Sequence, residues 1–229
     1  MPVGLGDEVM WLCPSLDDSP NDLSGNGNNG TYVNGTATVA DSDPTYGGSR
    51  AYNFDGTDDY IDCGFPITNT SFSVSGWYNT DSVNGSLLGS YDWTLNRRSF
   101  YLRLYYSKVQ FRVALAANNA GTVIESTASV STGTWYHVAA TWDATSGDME
   151  VFINGSTEAT GTMSVMAPLL DPLTLGSYGS SGTDYDGKQD DIRVFQRVLT
   201  QSEITLLAST RGFTVGGGTH INRTLLGVG

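Results

Sequence analysis

Two groups of residues in this chain have types and spacings that could do chemistry. In the first, Asp22, Ser24 and Asn26 stand two apart and Gly27 follows. That is the rhythm by which a loop offers alternate oxygen ligands to calcium and then turns sharply. The glutamate that closes an EF-hand loop is missing, because Val33 stands in its place. The alternative is that Asx-turns and glycines merely shape a long surface loop. In the second group, Arg97, Arg98, Arg103 and Arg112 lie among Tyr91, Trp93, Tyr101, Tyr105 and Tyr106. Flat rings stack on the apolar faces of sugars, and planar guanidinium donors hold hydroxyls or carboxylates. Alternating aromatics also fill the core of a β-sandwich, with arginine stems along its outer face. The members expected to contact a ligand are Tyr91, Trp93, Arg97 and Tyr106, joined by Tyr178 and Tyr185 at the rim of the Gly/Ser loop 176–185.

Catalytic groups are harder to find. Glycosidic cleavage needs two carboxylates straddling one bond, and the glutamates Glu8, Glu125, Glu150, Glu158 and Glu203 form no such cluster. His137 lies within an apolar strand and reads as a hydrogen-bonded core histidine rather than a general base. Asp58 and Asp59, in Asp55-Gly56-Thr57-Asp58-Asp59, read as a solvated acidic hairpin tip. The chain is expected not to be an enzyme.

The elements that must position these residues centre on Trp135 to Ser156, two β-prone runs around a polar knot at Asp143 to Asp148, closing on the turn dipeptide Asn154-Gly155. Tyr136, Val138, Ala140 and Trp142 share one face, and Trp135, His137, Ala139 and Thr141 the other. Bulk on both faces predicts a central strand. Further strands are predicted at Val9 to Cys13, Tyr32 to Ala40, Ala51 to Cys63, Phe72 to Tyr78, Ser86 to Tyr91, Ser99 to Tyr106, Val109 to Val113 and Asp191 to Phe195. Thr200 and Glu203 form a capping box that opens a short helix, with Ile204, Leu206 and Leu207 as its docking face.

The wording W-Y-H-V-A-A-T-W-D followed by V-F-I-N-G resembles the laminin-G-like and pentraxin-like branch of the concanavalin A-like lectin/glucanase superfamily. So do Phe54-Asp55-Gly56-Thr57-Asp58-Asp59-Tyr60-Ile61, Phe72-Ser73-Val74-Ser75-Gly76-Trp77 and Gly187-Lys188-Gln189-Asp190-Asp191-Ile192-Arg193-Val194-Phe195. The resemblance runs from Val9 to Leu207. It implies an all-β fold, a two-sheet antiparallel β-sandwich of jelly-roll type with one short C-terminal helix. It also implies a structural calcium on the loop at Asp22, Ser24 and Asn26, completed from a distant strand by Asp190. Loop 176–185 lacks the acidic and amide residues that hold calcium for ligand binding in pentraxins, so that site is not carried over.

The chain of 229 residues suits one domain over residues 1–210, followed by a Gly-rich tail over 211–229. Net charge is −13, which argues against nucleic acid and against an anionic membrane as partners. No apolar run approaches membrane-spanning length, and the N-terminus Met-Pro-Val-Gly-Leu-Gly-Asp-Glu, without the basic and apolar regions of a signal peptide, is expected not to be one. Cys13 and Cys63 are expected to be free thiols. The function expected is non-catalytic recognition of a glycan or host-surface polysaccharide with calcium as cofactor. The alternative is a decoration or fibre protein of a phage virion, made in the cytoplasm, whose tail at 211–229 mediates a homo-oligomer or contacts an assembly partner.

Overall fold

The computed structural model describes residues 5, 7–41, 49–67, 70–92, 97–114, 120–166, 172–177, 183–209 and 211, with only the backbone of 91, 92, 97 and 98. Among these the strands are β1 (Glu8–Leu12), β2 (Thr31–Val33), β3 (Ala37–Ala40), β4 (Arg50–Asp55), β5 (Tyr60–Asp62), β6 (Phe72–Thr80), β7 (Gly85–Asp92) and β8 (Arg97–Tyr105). They continue as β9 (Lys108–Ala114), β10 (Gly121–Ser129), β11 (Trp135–Trp142), β12 (Asp148–Ile153), β13 (Ser156–Thr162), β14 (Thr174–Leu175) and β15 (Asp186–Phe195), before the helix α1 (Gln201–Leu207).

One sheet runs β13-β12-β11-β6-β15-β4-β3, with β1 also pairing β15; the other runs β10-β9-β8-β7-β14-β5-β2. All the pairings described are antiparallel. β11 is interior, flanked by β12 and β6, as bulk on both of its faces requires. Its even-numbered side chains enter the space between the sheets, where Trp142 meets Phe72 at 6.0 Å and Phe72 meets Phe100 at 4.7 Å. Its odd-numbered ones form the sheet's outer face, where Ala139 packs under Ile204 and Leu207 of α1.

The strand regions predicted from Tyr32 to Ala40 and from Ala51 to Cys63 each divide between the two sheets. Asn34, at φ 59°, turns the chain from β2 to β3, a backbone region in which asparagine is enriched. The aspartate-rich segment between β4 and β5 is therefore a corner joining two sheets, not the hairpin tip expected from its composition. Gly56 is required there: its φ is 74°, and a Cβ would sit 2.8 Å from Cβ of Asp186. The strands β10 and β13 escaped sequence reading because Thr, Ser and Ala dominate them and little apolar alternation marks them. Both are sheet edges, bridged where Thr122 donates to the Thr162 carbonyl at 2.8 Å.

The capping box forms as predicted, with Thr200 as N-cap of α1. Ile204 and Leu207 are buried, but Leu206 is exposed, because a helix this short turns only one stripe to the sheet. Cys13 and Cys63 are free and buried, and burial pushes both thiols up. Arg211 is the one described residue of the tail drawn at 211–229. Arg211 is fully buried, 3.8 Å over the Trp135 ring and 2.7 Å from the Asp41 carboxylate, so it belongs to the sandwich. The remainder of the tail, 212–229, lies outside the described residues. Among the described residues no helix is long and apolar enough to cross a membrane.

Candidate functional site

Three connections meet at one end of the sandwich: the turn between β6 and β7, the turn between β8 and β9, and the approach to β15. Antiparallel pairing of β7 with β8 brings Gly85 opposite Leu104, and Ser86 N–H donates to the Thr183 carbonyl at 2.7 Å. Between them lies a pocket of about 190 Å³ lined by Asn84, Gly85, Arg103, Leu104, Tyr105, Tyr106 and Thr183.

The β8–β9 turn is conformationally costly. Its central residues Tyr106 and Ser107 have φ of 47° and 65°. A two-residue turn of this hand normally takes Asn-Gly, and a bulky residue with positive φ costs about 1 kcal/mol or more. The surroundings hold it in place. Tyr106 N–H donates to Asn84 Oδ1 at 2.9 Å, Ser107 N–H to the Val83 carbonyl at 2.8 Å, and Val130 N–H to the Ser107 carbonyl at 2.8 Å. The result is a tyrosine ring 69% exposed, set edge-on to Tyr105 with centroids 4.6 Å apart.

Arg103 forms the opposite wall. Its guanidinium carbon lies 4.7 Å from both the Tyr101 and the Tyr105 ring centroids, and Nε and Nη2 donate to Gln110 Oε1 at 2.9 and 2.8 Å. Gln110 is fixed in turn by donating to Glu125 at 2.7 Å. The guanidinium is thus a pre-oriented cation between aromatic faces. Tyr101 is buried and serves the core, so the Arg-aromatic cluster divides between core and surface.

An acidic group adjoins this end. Asp55, Asp58 and Asp59 each place a carboxylate oxygen within 4.8 Å of the others. Asp59 accepts Gly35 N–H at 2.6 Å and Asp55 N–H at 3.2 Å, which holds the corner closed. Asp186 pairs with Asp55 in register, and its carboxyl is raised by burial and by the nearby Asp81 and Asp55. Asp81 N–H in turn donates to the Asp186 carbonyl, linking the acidic corner to the β6–β7 turn. Clustered carboxylate oxygens of this kind fit a hard cation such as calcium.

The loop at residues 22–28 is different. Asp22 Oδ1 accepts from Trp11 N–H and Ser24 N–H, both at 2.9 Å, while Oδ2 accepts from Ser24 Oγ at 2.8 Å and Asn28 N–H at 3.0 Å. A carboxylate offers about four acceptor sites, so the four acceptor sites of Asp22 are filled from its own loop and from Trp11 on β1. Asn26 spends its amide on the Glu8 carbonyl at 2.8 Å. Asp190, expected to close a calcium site here, is fully buried on β15. It accepts from Ser15 Oγ at 2.7 Å and from Asp191 N–H at 2.7 Å, and lies 3.7 Å from Arg211. Burial, then the Asp191 charge, pushes its carboxyl up to about 7. Asp22, Ser24 and Asn26 thus share one hydrogen-bonded loop, while Asp190 is placed among Ser15, Asp191 and Arg211.

The remaining predicted contact residues separate in the same way. Tyr185 is fully buried, packed edge-on to Phe54 at 5.9 Å and to Tyr78 at 6.4 Å, with its hydroxyl donating to the Lys188 carbonyl. It is a core residue because it belongs to the inner-facing register as the chain enters β15. Trp93 and Tyr178 lie outside the described residues, as do the side chains of Tyr91 and Arg97 on β7 and β8. Only Tyr106 of the six is placed at the pocket. Sequence reading missed Asn84 and Thr183, since Asn84-Gly85 signals a turn and nothing more, and it read the Asp58-Asp59 corner as a solvated cap.

A family model described as the concanavalin A-like lectin/glucanases superfamily matches residues 55–205. Pentraxin-related protein PTX3 of Bos taurus is 31% identical over 96 residues, covering 42% of this chain and 24% of that protein. The chain thus spans about a quarter of the length of the curated relatives it matches. Among solved structures, the binding domain of Paraclostridial Mosquitocidal Protein 1 superposes with a TM-score of 0.71 at 18% identity, over 88% of this chain and 52% of that one. Domain 4 of AbnA, an extracellular arabinanase of Geobacillus stearothermophilus, in complex with arabinotriose, gives 0.69 at 18% identity, over 88% and 98%. At these identities the structural likeness speaks for the fold.

Proposed function

Because the chain belongs to the concanavalin A-like lectin/glucanase superfamily, we propose that it is a non-catalytic carbohydrate-recognition module whose contact site is the pocket at Tyr106. The observation that carries this reading is the turn that holds an exposed tyrosine with positive φ, where Asn-Gly would serve stability better. Strain retained around a rigid, exposed ring has a purpose if the ring is a stacking platform. Among the described residues the pocket lining contains no carboxylate or imidazole to move a proton, which fits binding rather than turnover. The AbnA domain, which shares this fold and was solved in complex with arabinotriose, supports the sugar-binding reading.

The test is a glycan-binding screen of the purified chain, followed by titration of Tyr106→Asn against the best hit. Asparagine accepts the same backbone conformation, so the variant is expected to melt no lower than the parent while losing roughly tenfold in affinity. Unchanged affinity would move the site elsewhere.

Calcium belongs to the same proposal, held by Asp55, Asp58 and Asp59. Added calcium is expected to raise the melting temperature and chelation to reverse the rise, since a ligand bound only to the native state stabilises it. Asp58→Asn removes an exposed ligand and is expected to abolish that response. If the variant responds to calcium as the parent does, the site is wrong.

Attachment to a larger assembly remains a second reading. Its support is Arg211, which anchors the start of the terminal segment to the sheet's outer face. Deletion of residues 213–229 is expected to change oligomeric state, or incorporation into that assembly, without unfolding the sandwich.

A further inference from the structure

Arg211 occupies a cage that it does not itself build. Its side chain is fully buried, with the guanidinium carbon 3.8 Å from the Trp135 ring centroid, Nη2 2.7 Å from Asp41 Oδ2 and Nε 3.7 Å from Asp190 Oδ2. The three walls come from separate elements: Asp41 directly follows β3, Trp135 opens β11 and Asp190 lies on β15. Each wall is also held by contacts in which Arg211 has no part. Asp41 N–H donates to the Ser49 carbonyl at 2.9 Å, and its Oδ1 faces Lys188 Nζ at 3.5 Å. Asp190 accepts from Ser15 Oγ and from Asp191 N–H, and Trp135 packs with Trp77 and Ala51. A flat ring against the face and carboxyl oxygens along the edge match a planar guanidinium, whereas a compact ammonium would meet the charge alone. Burying a cation is costly unless it is paired in this way.

We infer that this cage is a guanidinium-binding site on the outer face of the β11 sheet, filled in the intact chain by Arg211 and open to an arginine side chain supplied from outside once Arg211 is withdrawn. The ligand class is an arginine-bearing peptide, and the source to which the inference commits is the terminal segment of a second copy, which carries the same arginine. The site stands apart from the sugar-binding pocket and gives the assembly reading a point of contact. Deletion of residues 213–229 leaves Arg211 in place, so that reading and this one can fail separately.

The experiment uses the full chain carrying Arg211→Ala together with Arg223→Ala, because Arg223 is the other arginine of the terminal segment. The probe is an acetylated, amidated peptide of Ser209-Thr210-Arg211-Gly212-Phe213, with matched peptides in which citrulline or lysine takes the place of the arginine. The variant is expected to melt roughly 5 °C or more below the parent, since two carboxyl groups lose their buried cation. Millimolar arginine peptide should recover about half of that loss or more, and should leave the parent unmoved because its cage is filled. Citrulline keeps the shape without the charge and should recover none, while lysine keeps the charge without the planar fork and should recover less. If the alanine variant does not fold, Arg211→Lys with Arg223→Ala takes its place, and the arginine peptide is expected to raise its melting temperature above both controls. A variant that melts with the parent overturns the inference, as does a destabilised variant that no peptide restores, and Arg211 is then a cover for Trp135 and nothing more. Equal rescue by the arginine and citrulline peptides, or by the arginine and lysine peptides, overturns the guanidinium class.

Discussion

Arg193→Met is expected to lower the stability of the sandwich by about 3–5 kcal/mol, read as a fall in urea midpoint with an unchanged slope. Arg193 sits on β15 with its side chain 3% exposed, donating to Glu8 Oε1 at 2.9 Å and to Asp191 Oδ1 at 3.0 Å. Its guanidinium also covers the Trp11 ring at 4.2 Å, and Trp11 Nε1 donates to Asp191 at 2.6 Å. One cation thus serves two buried carboxylates from β1 and β15, the pair that ties the N-terminal strand to the sheet. Methionine keeps much of the volume over Trp11 but leaves Glu8 and Asp191 as buried charges without their guanidinium. That loss of compensation, rather than the net worth of the ion pairs, sets the magnitude. Replacing all three groups together with apolar residues should be far less damaging than the single change. A loss below about 1 kcal/mol for Arg193→Met would show that water or backbone groups take over the compensation.

The same cluster shows what a single sequence can disclose. Alternation along Trp135 to Trp142 gave the sheet interior correctly, because one pleated strand with bulk on both faces has few places to go. It could not show that Asp190, Asp191 and Arg193 meet Glu8 and Trp11, since those contacts bridge some 180 residues of sequence. The Asx-rich loop is ambiguous for a related reason. Asp22, Ser24 and Asn26 have the spacing of cation ligands and equally the spacing of side chains that bond their own backbone, and the structure uses the second option at Asp22. Tyr106 was legible as the tip of a hairpin beside arginine. Its partners Asn84 and Thr183 were not, because they arrive from other turns and carry no periodic signal. Tyr185 failed as a contact residue because a Gly/Ser-rich approach hides where the inward register of β15 begins.

Two buried groups on the outer face of the β11 sheet should oppose each other in acid, with an effect that only single variants reveal. His137 pairs with Trp77 across β11 and β6, and Trp77 pairs with Asp190 across β6 and β15, so the two lie in one row. Burial, then the Arg193 charge, lowers His137 from 6.5 to about 3. The unfolded chain therefore takes a proton as pH falls through 6.5 while the folded one refuses it until about 3, and stability is lost across that window. Asp190 has the opposite sign. With a folded value near 7 against 3.8 unfolded, the folded chain holds a proton that the unfolded one has released, so stability is lost as pH rises from 3.8 to 7. Each slope is at most about 1.4 kcal/mol per pH unit, and between roughly pH 4 and 6.5 they cancel. Asp190→Asn removes one side of the balance, so the variant should lose about 2–3 kcal/mol more than the parent between pH 6.5 and 4.5. His137→Asn removes the other and should gain a similar amount relative to the parent over the same interval. Groups such as Glu203, lowered to about 2 by its Arg197 partner, titrate alike in all three proteins and drop out of the differences. Urea midpoints at the two pH values decide the matter: three parallel profiles would mean that neither group changes its proton affinity on folding.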